Sequence, residues 1–325
     1  MVLIRPRRRR IATAISLATI LAGCHTQHPA TAGRATLPRS TVTTTMPAAT
    51  GLTGRIAYNG ADGDIWVMDA DGAHRRQVTH SGPDVDFDPS WSPDGRRIVF
   101  RTSRGRHLPD PAVLGLDGIF VVNADGSGET PIHPRTGGLF PDWSPDGSRI
   151  AFSGVLHQGD RQDHLFVMRP DGSHARVLNT SRVAECAEWS PDGSRIMFCS
   201  HWGAGWDVGV MDANGANVRR LTDAPGNEYP GAWSPDGRRI AFSSDREGQG
   251  EVWVMDADGT RQRRLTHHLA TYDAPNSWLP DGRIVVASSK PDDPLPAWFT
   301  MEPDGSHLRA LPQLQGAQAP IDWLP

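Results

Sequence analysis

The five residues Trp-Ser-Pro-Asp-Gly recur at Trp91–Gly95, Trp143–Gly147, Trp189–Gly193 and Trp233–Gly237. A relaxed copy, Trp-Leu-Pro-Asp-Gly, stands at Trp278–Gly282, and Trp323-Leu324-Pro325 repeats its beginning. The Trp-to-Trp intervals are 52, 46, 44, 45 and 45 residues. A fixed period of that size means one supersecondary unit repeated. About 40–45 residues is what a four-stranded propeller blade needs.

The motif's own chemistry agrees. Ser can bond the backbone at the first position of a type I turn, Pro presets φ at the second, and Gly accepts a left-handed fourth position. Behind it come Ile98-Val99-Phe100, Ile150-Ala151-Phe152, Ile196-Met197-Phe198 and Ile240-Ala241-Phe242, apolar on both faces as strands between packed sheets must be. A second turn family recurs at Asp69–Gly72, Asn123–Gly126, Arg169–Gly172, Asp212–Gly215, Asp256–Gly259 and Glu302–Gly305. Its Asp-Ala-Asp-Gly form lacks the further oxygen ligands and the late Glu of a calcium loop, and reads as a turn with a glycine bulge.

Strands of the Ile-Ala-Phe type number six, starting at Ile56, Ile98, Ile150, Ile196, Ile240 and Ile284, and the repeat tryptophans also number six. The folded chain begins with the segment that comes after the Trp turn in other repeats, and it ends with the segment that comes before it. The reading is an all-β, six-bladed β-propeller over residues 54–325. Its C-terminal strand completes the N-terminal blade, which removes two open sheet edges.

Residues 1–24 stand apart from the fold. Arg5–Arg10 form a basic region, Ile11–Gly23 is a short apolar run, and Leu21-Ala22-Gly23-Cys24 closes it. This resembles the lipobox of bacterial lipoproteins, which implies cleavage before Cys24 and lipidation of its thiol. Residues 25–53, rich in Thr, Ala and Pro, read as a disordered tether.

The whole periodic set is clearest in Trp233–Thr266. It resembles the repeats of the TolB-type six-bladed propeller over about residues 54–325. In Gram-negative bacteria TolB is a periplasmic protein that binds other envelope proteins and carries an additional N-terminal α/β domain. This sequence has a signal and a tether in that place. The resemblance implies a membrane-anchored, monomeric propeller lipoprotein facing the periplasm or the cell exterior. It would act as a protein-binding scaffold for envelope proteins or peptides.

Topology supplies the site candidates. Both turn families lie on one face, so the variable loops, with Thr102–Asp117 the longest, share the other. Variable loops on a rigid scaffold are where binding usually lives. Arg104, Arg106 and His107 are the candidates on the long loop. Asp86, Glu228 and Asp273 stand five residues before the repeat Trp, with Glu185 one residue off; they are expected as an acidic ring at the channel mouth, suited to a basic peptide or a cation. The bland alternative is that they satisfy loop amides.

Cys186 and Cys199 flank the Trp189–Gly193 turn on facing strands, and a disulfide and two buried thiols are both compatible with that placement. No metal motif, cofactor fingerprint or nucleophile elbow is present. A net charge of −4 gives no reason to expect nucleic acid. The alternative function is a propeller enzyme, a lyase or hydrolase on polysaccharide or peptide, with its site at the channel mouth.

Overall fold

The structure is a computed structural model that describes residues 51–104, 117–132, 137–157, 163–179, 183–267, 272–290, 293 and 295–325. Among them 24 strands form six four-stranded antiparallel sheets. Five sheets take their strands in chain order from the centre outward. The sixth has the C-terminal strand Gln318–Leu324 beside the N-terminal strand Arg55–Asn59, with Ile56 opposite Trp323 and Ala57 opposite Asp322. This is blade 1, and the ring closes as the repeat count requires. Blades 2 to 6 begin with the inner strands Asp86–Trp91, Leu139–Trp143, Ala184–Trp189, Glu228–Trp233 and Tyr272–Trp278.

The apolar core lies between blades. Six clusters of buried side chains each join two neighbouring sheets; one unites Met197, Val208 and Val210 of blade 4 with Trp233, Ile240 and Phe242 of blade 5. Phe100, Phe152, Phe198 and Phe242 are fully buried. They are the third residues of the recurring apolar triplets, which explains why those triplets are apolar on both faces. Each such side chain contributes about 1.5–3 kcal/mol by leaving water.

Both turn families are built as their residues dictate. In blade 4, Gly193 N–H donates to Ser190 O at 2.8 Å, Ser190 Oγ donates to Asp192 Oδ1 at 2.6 Å, and Gly193 holds φ +67°. An arginine six residues after the Trp then lies over the Trp ring of the next blade. Arg55, Arg97, Arg149, Arg195 and Arg239 stack on Trp91, Trp143, Trp189, Trp233 and Trp278 at 4.6–5.0 Å. Such a contact is worth about 0.5–2 kcal/mol. At the closing interface Arg283 instead bonds Asp281, and Trp323 Nε1 donates to Thr53 O.

The outer strands are short, of two to four residues. The pattern Arg219-Arg220-Leu221-Thr222 yields a strand of two residues, Arg219–Arg220. Leu221 and Thr222 turn inward and are buried, and Thr222 Oγ1 accepts from Val208 N–H at 2.9 Å. Thr79 and Thr266 do the same for Ile65 and Val252. A two-residue outer strand leaves little edge for another chain to pair with.

Candidate functional site

Six inner strands line the axis of the ring, and every one carries a register shift against its neighbour. In blades 2, 3 and 4 the extra residue takes a left-handed conformation without being glycine: Asp88 at φ +52°, Phe140 at +51° and Cys186 at +59°. Bulges of this kind re-aim side chains. They divide the channel into a wall near the turn face, set by the residue just before each Trp, and a mouth on the loop face.

The wall carries Ser90, Asp142, Glu188 and Asp322, from blades 2, 3, 4 and 1. Each reaches sideways to the Trp amide of the next blade. Trp143 N–H donates to Ser90 Oγ at 3.3 Å, Trp189 N–H to Asp142 Oδ2 at 2.8 Å, Trp233 N–H to Glu188 Oε1 at 3.1 Å and Trp91 N–H to Asp322 Oδ2 at 2.6 Å. These bonds belt the blades together. Asp142, Glu188 and Asp322 open onto the bore and are half-buried. Burial pushes Asp142 up to about 7 and Asp322 up to about 6, against the relief their amide donors give. Glu188 is raised well above the carboxylate range by burial and by the facing charges of Asp142 and Asp322. The three groups therefore sense one another across the bore.

Beside the mouth lies a buried charge trio. Arg101 Nε is 3.2 Å from Asp88 Oδ2, and its Nη1 is 3.8 Å from Asp117. Its guanidinium also covers the Phe87 ring at 4.5 Å. Burial raises the Asp88 carboxyl, and Arg101 opposes the rise.

The predicted acidic ring resolves into two kinds of residue. Asp86, Glu228 and Asp273 are 0–1% exposed, and each is hydrogen-bonded. Asp86 takes both oxygens to Arg104 Nη2 at 3.1 Å; Glu228 accepts from Ser244 Oγ at 2.8 Å with Arg246 Nε at 3.5 Å; Asp273 accepts from Ser288 Oγ at 2.6 Å. Burial raises Asp86 and Glu228. Glu185, displaced by one residue along its strand, is left partly accessible. It bonds the Asp163 carboxyl of blade 3, and burial together with that neighbour pushes it up to about 8. Burial also raises Asp163, so the pair holds a shared proton at neutral pH.

Residues absent from the sequence-level candidates complete the mouth. His201 and Trp206, paired at the ends of two strands of blade 4, bring their tilted rings to 4.0 Å, and Trp206 meets Tyr229 of blade 5 at 6.2 Å. Tyr229 is the second residue of its inner strand and Tyr272 the first of its own. The signal was available: the chain has three tyrosines, and two stand at the start of inner strands.

On the long loop, Arg104 is held by Asp86 and by Glu129 Oε1 at 2.5 Å. Arg106 and His107 lie outside the described residues, as do Cys24 and nearly all of the expected tether. Cys186 and Cys199 are free thiols in hydrogen-bond contact; the bulge sets Glu185, not Cys186, opposite Cys199. Among the described residues no group of three or more His, Cys, Asp or Glu side chains is placed to hold a metal ion.

The sequence matches the TolB beta propeller domain over residues 44–201 and 117–321. An uncharacterized protein of Agrobacterium fabrum, Atu1656, is 35% identical over 102 residues, which is 31% of this chain and 31% of that protein. The chain thus matches about a third of that curated relative's length. Among solved structures, TolB from Acinetobacter baumannii superposes with a TM-score of 0.66 at 22% identity, covering 84% of this chain and 67% of that one. A candidate TolB from Agrobacterium tumefaciens gives 0.61 at 22% identity, covering 85% of this chain and all of the other. At that identity the two superpositions speak to the fold.

Proposed function

Because the chain belongs to the TolB beta propeller domain family, we propose that it is a protein-binding scaffold of the bacterial cell envelope, anchored by lipid at Cys24. It faces the periplasm or the cell exterior and engages a partner at the loop-face mouth of its channel. The observation that carries this reading is the mouth's composition. His201, Trp206 and Tyr229 form an aromatic cluster across blades 4 and 5, on the face that also carries the Asp163–Glu185 pair. Aromatic anchors beside a few polar groups are what protein interfaces concentrate at their centres.

The acids favour a partner segment carrying Lys or Arg. The wall carboxyls would meet such a segment if it entered the bore, and their raised proton affinity would fall as its charge approached. Of the four acids predicted at the mouth, Glu185 is the one partly open to a partner. Arg104 would border the same face from blade 2.

The test is affinity capture from membranes of the native host with the full lipidated chain. Trp206→Ala with Tyr229→Ala should reduce the wild-type capture of a specific envelope protein at least tenfold, while leaving the melting temperature within a few degrees. Undiminished capture by that double variant would refute a mouth site. Cys24→Ser separately tests the anchor and should move the protein from the membrane to the soluble fraction.

A further inference from the structure

On the turn face, between blades 4 and 5, lies a groove of about 680 Å³. Five arginines line it. Arg195 and Arg219 come from blade 4, and Arg238, Arg239 and Arg261 come from blade 5. Arg195 and Arg239 are pinned by their indole stacks, and Arg195 Nη2 also donates to Gly237 O at 3.3 Å. Two walls of the groove are thus fixed cations in a set geometry.

The groove also holds three carboxylates, each hydrogen-bonded or paired, so its five arginines leave it with a net positive lining. Asp236 Oδ1 accepts from Ser234 Oγ at 2.6 Å and Arg238 N–H at 3.1 Å. Asp258 Oδ1 accepts from Thr260 N–H at 2.9 Å and Oγ1 at 2.6 Å. Asp256 pairs with Arg261. By contrast, the guanidiniums of Arg219 and Arg238 bond nothing among the described residues.

The repeat supplies an internal control. In blade 1, Arg76 at the position of Arg219 donates to the carbonyl of Ala124 in the next blade. In blade 5, Arg263 donates to Pro303 O at 2.7 Å and Asp304 O at 3.0 Å, consuming both terminal nitrogens. Arg219 makes no such bond to the turn of blade 5, so its planar donor fork stays open toward the groove. Next to it stands Val218, 40% exposed and the one large apolar side chain so exposed among the described residues.

We propose that this groove binds a phosphate group, with Arg219 and Arg238 as its principal donors and Arg195 and Arg239 as fixed flanking charges. Open guanidinium forks match phosphate oxygens two at a time. Two sources carry that chemistry, the headgroup of an anionic lipid and a soluble phosphate. Val218 favours a headgroup, since it would meet the glycerol or upper acyl region.

The test uses the mature chain from residue 24 with Cys24→Ser, so that neither an acyl chain nor the basic Arg5–Arg10 region contributes. Binding is measured to phosphatidylcholine vesicles with and without about one-third phosphatidylglycerol. Wild type should prefer the anionic vesicles, and Arg219→Gln with Arg238→Gln should lose that preference about tenfold or more. Arg96→Gln with Arg169→Gln removes the same charge from the same face outside the groove, and should behave as wild type. Competition by millimolar inorganic phosphate would assign the site to free phosphate, and its absence to the headgroup within a bilayer. Equal losses in both double variants, or no loss in either, would overturn the site. Because the anchor is absent throughout, failure here leaves the anchor reading untouched.

Discussion

The outer turns and the inner strands of this propeller both present rings of carboxylates, and the two rings have opposite electrostatics. In the turns, Asp94, Asp146, Asp192 and Asp236 each accept from a serine hydroxyl of the same turn at 2.6 Å. Those bonds favour the charged form, holding Asp146 and Asp192 at about 2. In the channel, Asp142 and Asp322 also accept hydrogen bonds, yet they are raised to about 7 and 6, and Glu185, which donates to Asp163, is raised to about 8. The difference is not the donors but the water. Turn acids keep their hydration and gain a donor, whereas channel acids lose hydration and face one another. Charge that is easily held marks the scaffold, and charge held at a cost marks the region where a ligand could relieve it.

The sharpest way to break that comparison is at the buried trio. Arg101 is the cation within reach of Asp88, which is 4% exposed. Arg101→Met keeps most of the packing against Phe87 and leaves Asp88 buried without its partner. A loss of about 3–5 kcal/mol in unfolding free energy is expected, read from chemical denaturation at pH 7. Lowering the pH should recover part of it by protonating Asp88. No turn acid losing its partner should approach that size. A loss below about 1 kcal/mol would mean that water reaches Asp88 and that the inner region is not as dry as its burial implies.

A smaller effect, with a distinctive pH signature, belongs to the wall. The folded carboxyl of Asp142 titrates near 7, against 3.8 in an unfolded chain. Between those values the folded protein holds a proton that the unfolded chain has released, so its stability falls as pH rises from about 4 to about 7. Asp142→Asn cannot ionise, keeps Oδ1 for Trp189 N–H, and offers an N–H to Ser90 Oγ. Its melting temperature should match wild type near pH 4.5 and exceed it by roughly 2–4 °C near pH 8. A difference that is the same at both pH values would show that Asp142 does not carry the wall's proton linkage.

The fold was legible because its determinants are local and repeated. Trp-Ser-Pro-Asp-Gly is both a turn and a count, and ring closure could be read from a C-terminal Ile321-Asp322-Trp323 matching the missing start of blade 1. Turn roles could be read residue by residue for the same reason. The channel was harder, because its character depends on which way single residues point across blades. Asp86 and Glu185 look equivalent in the sequence, yet a one-residue offset buries the first against Arg104 and leaves the second open beside Asp163. Likewise Asp142, Glu188 and Asp322 read as surface-like residues before a Trp; only the closed ring brings them round one bore. His201, Trp206 and Tyr229 meet through a contact between blades that no spacing within one repeat encodes. Leu221 and Thr222 look like strand residues in the sequence and instead serve as an inward cap.

The smallest predicted effect tests the comparison from the other side. Asp192 is exposed at its turn, where Ser190 Oγ, Ser194 N–H and Ser194 Oγ donate to it at 2.6–3.0 Å. Its folded carboxyl is held at about 2, below the unfolded value of 3.8. Here the sign reverses: the contribution to stability is fully present above about pH 4 and is lost as pH falls toward 2. Asp192→Asn removes the charge and retains one acceptor, so solvent-screened turn chemistry limits the cost to about 0.5 kcal/mol at pH 7. That cost should shrink as the pH approaches 2, where wild type has itself lost the charge. Paired melts of Asp192→Asn and Asp142→Asn from pH 3 to pH 8 should therefore diverge from wild type in opposite directions. Curves that bend the same way would mean that turn and channel carboxylates share one environment, and the division between scaffold charge and ligand-facing charge would fall with it.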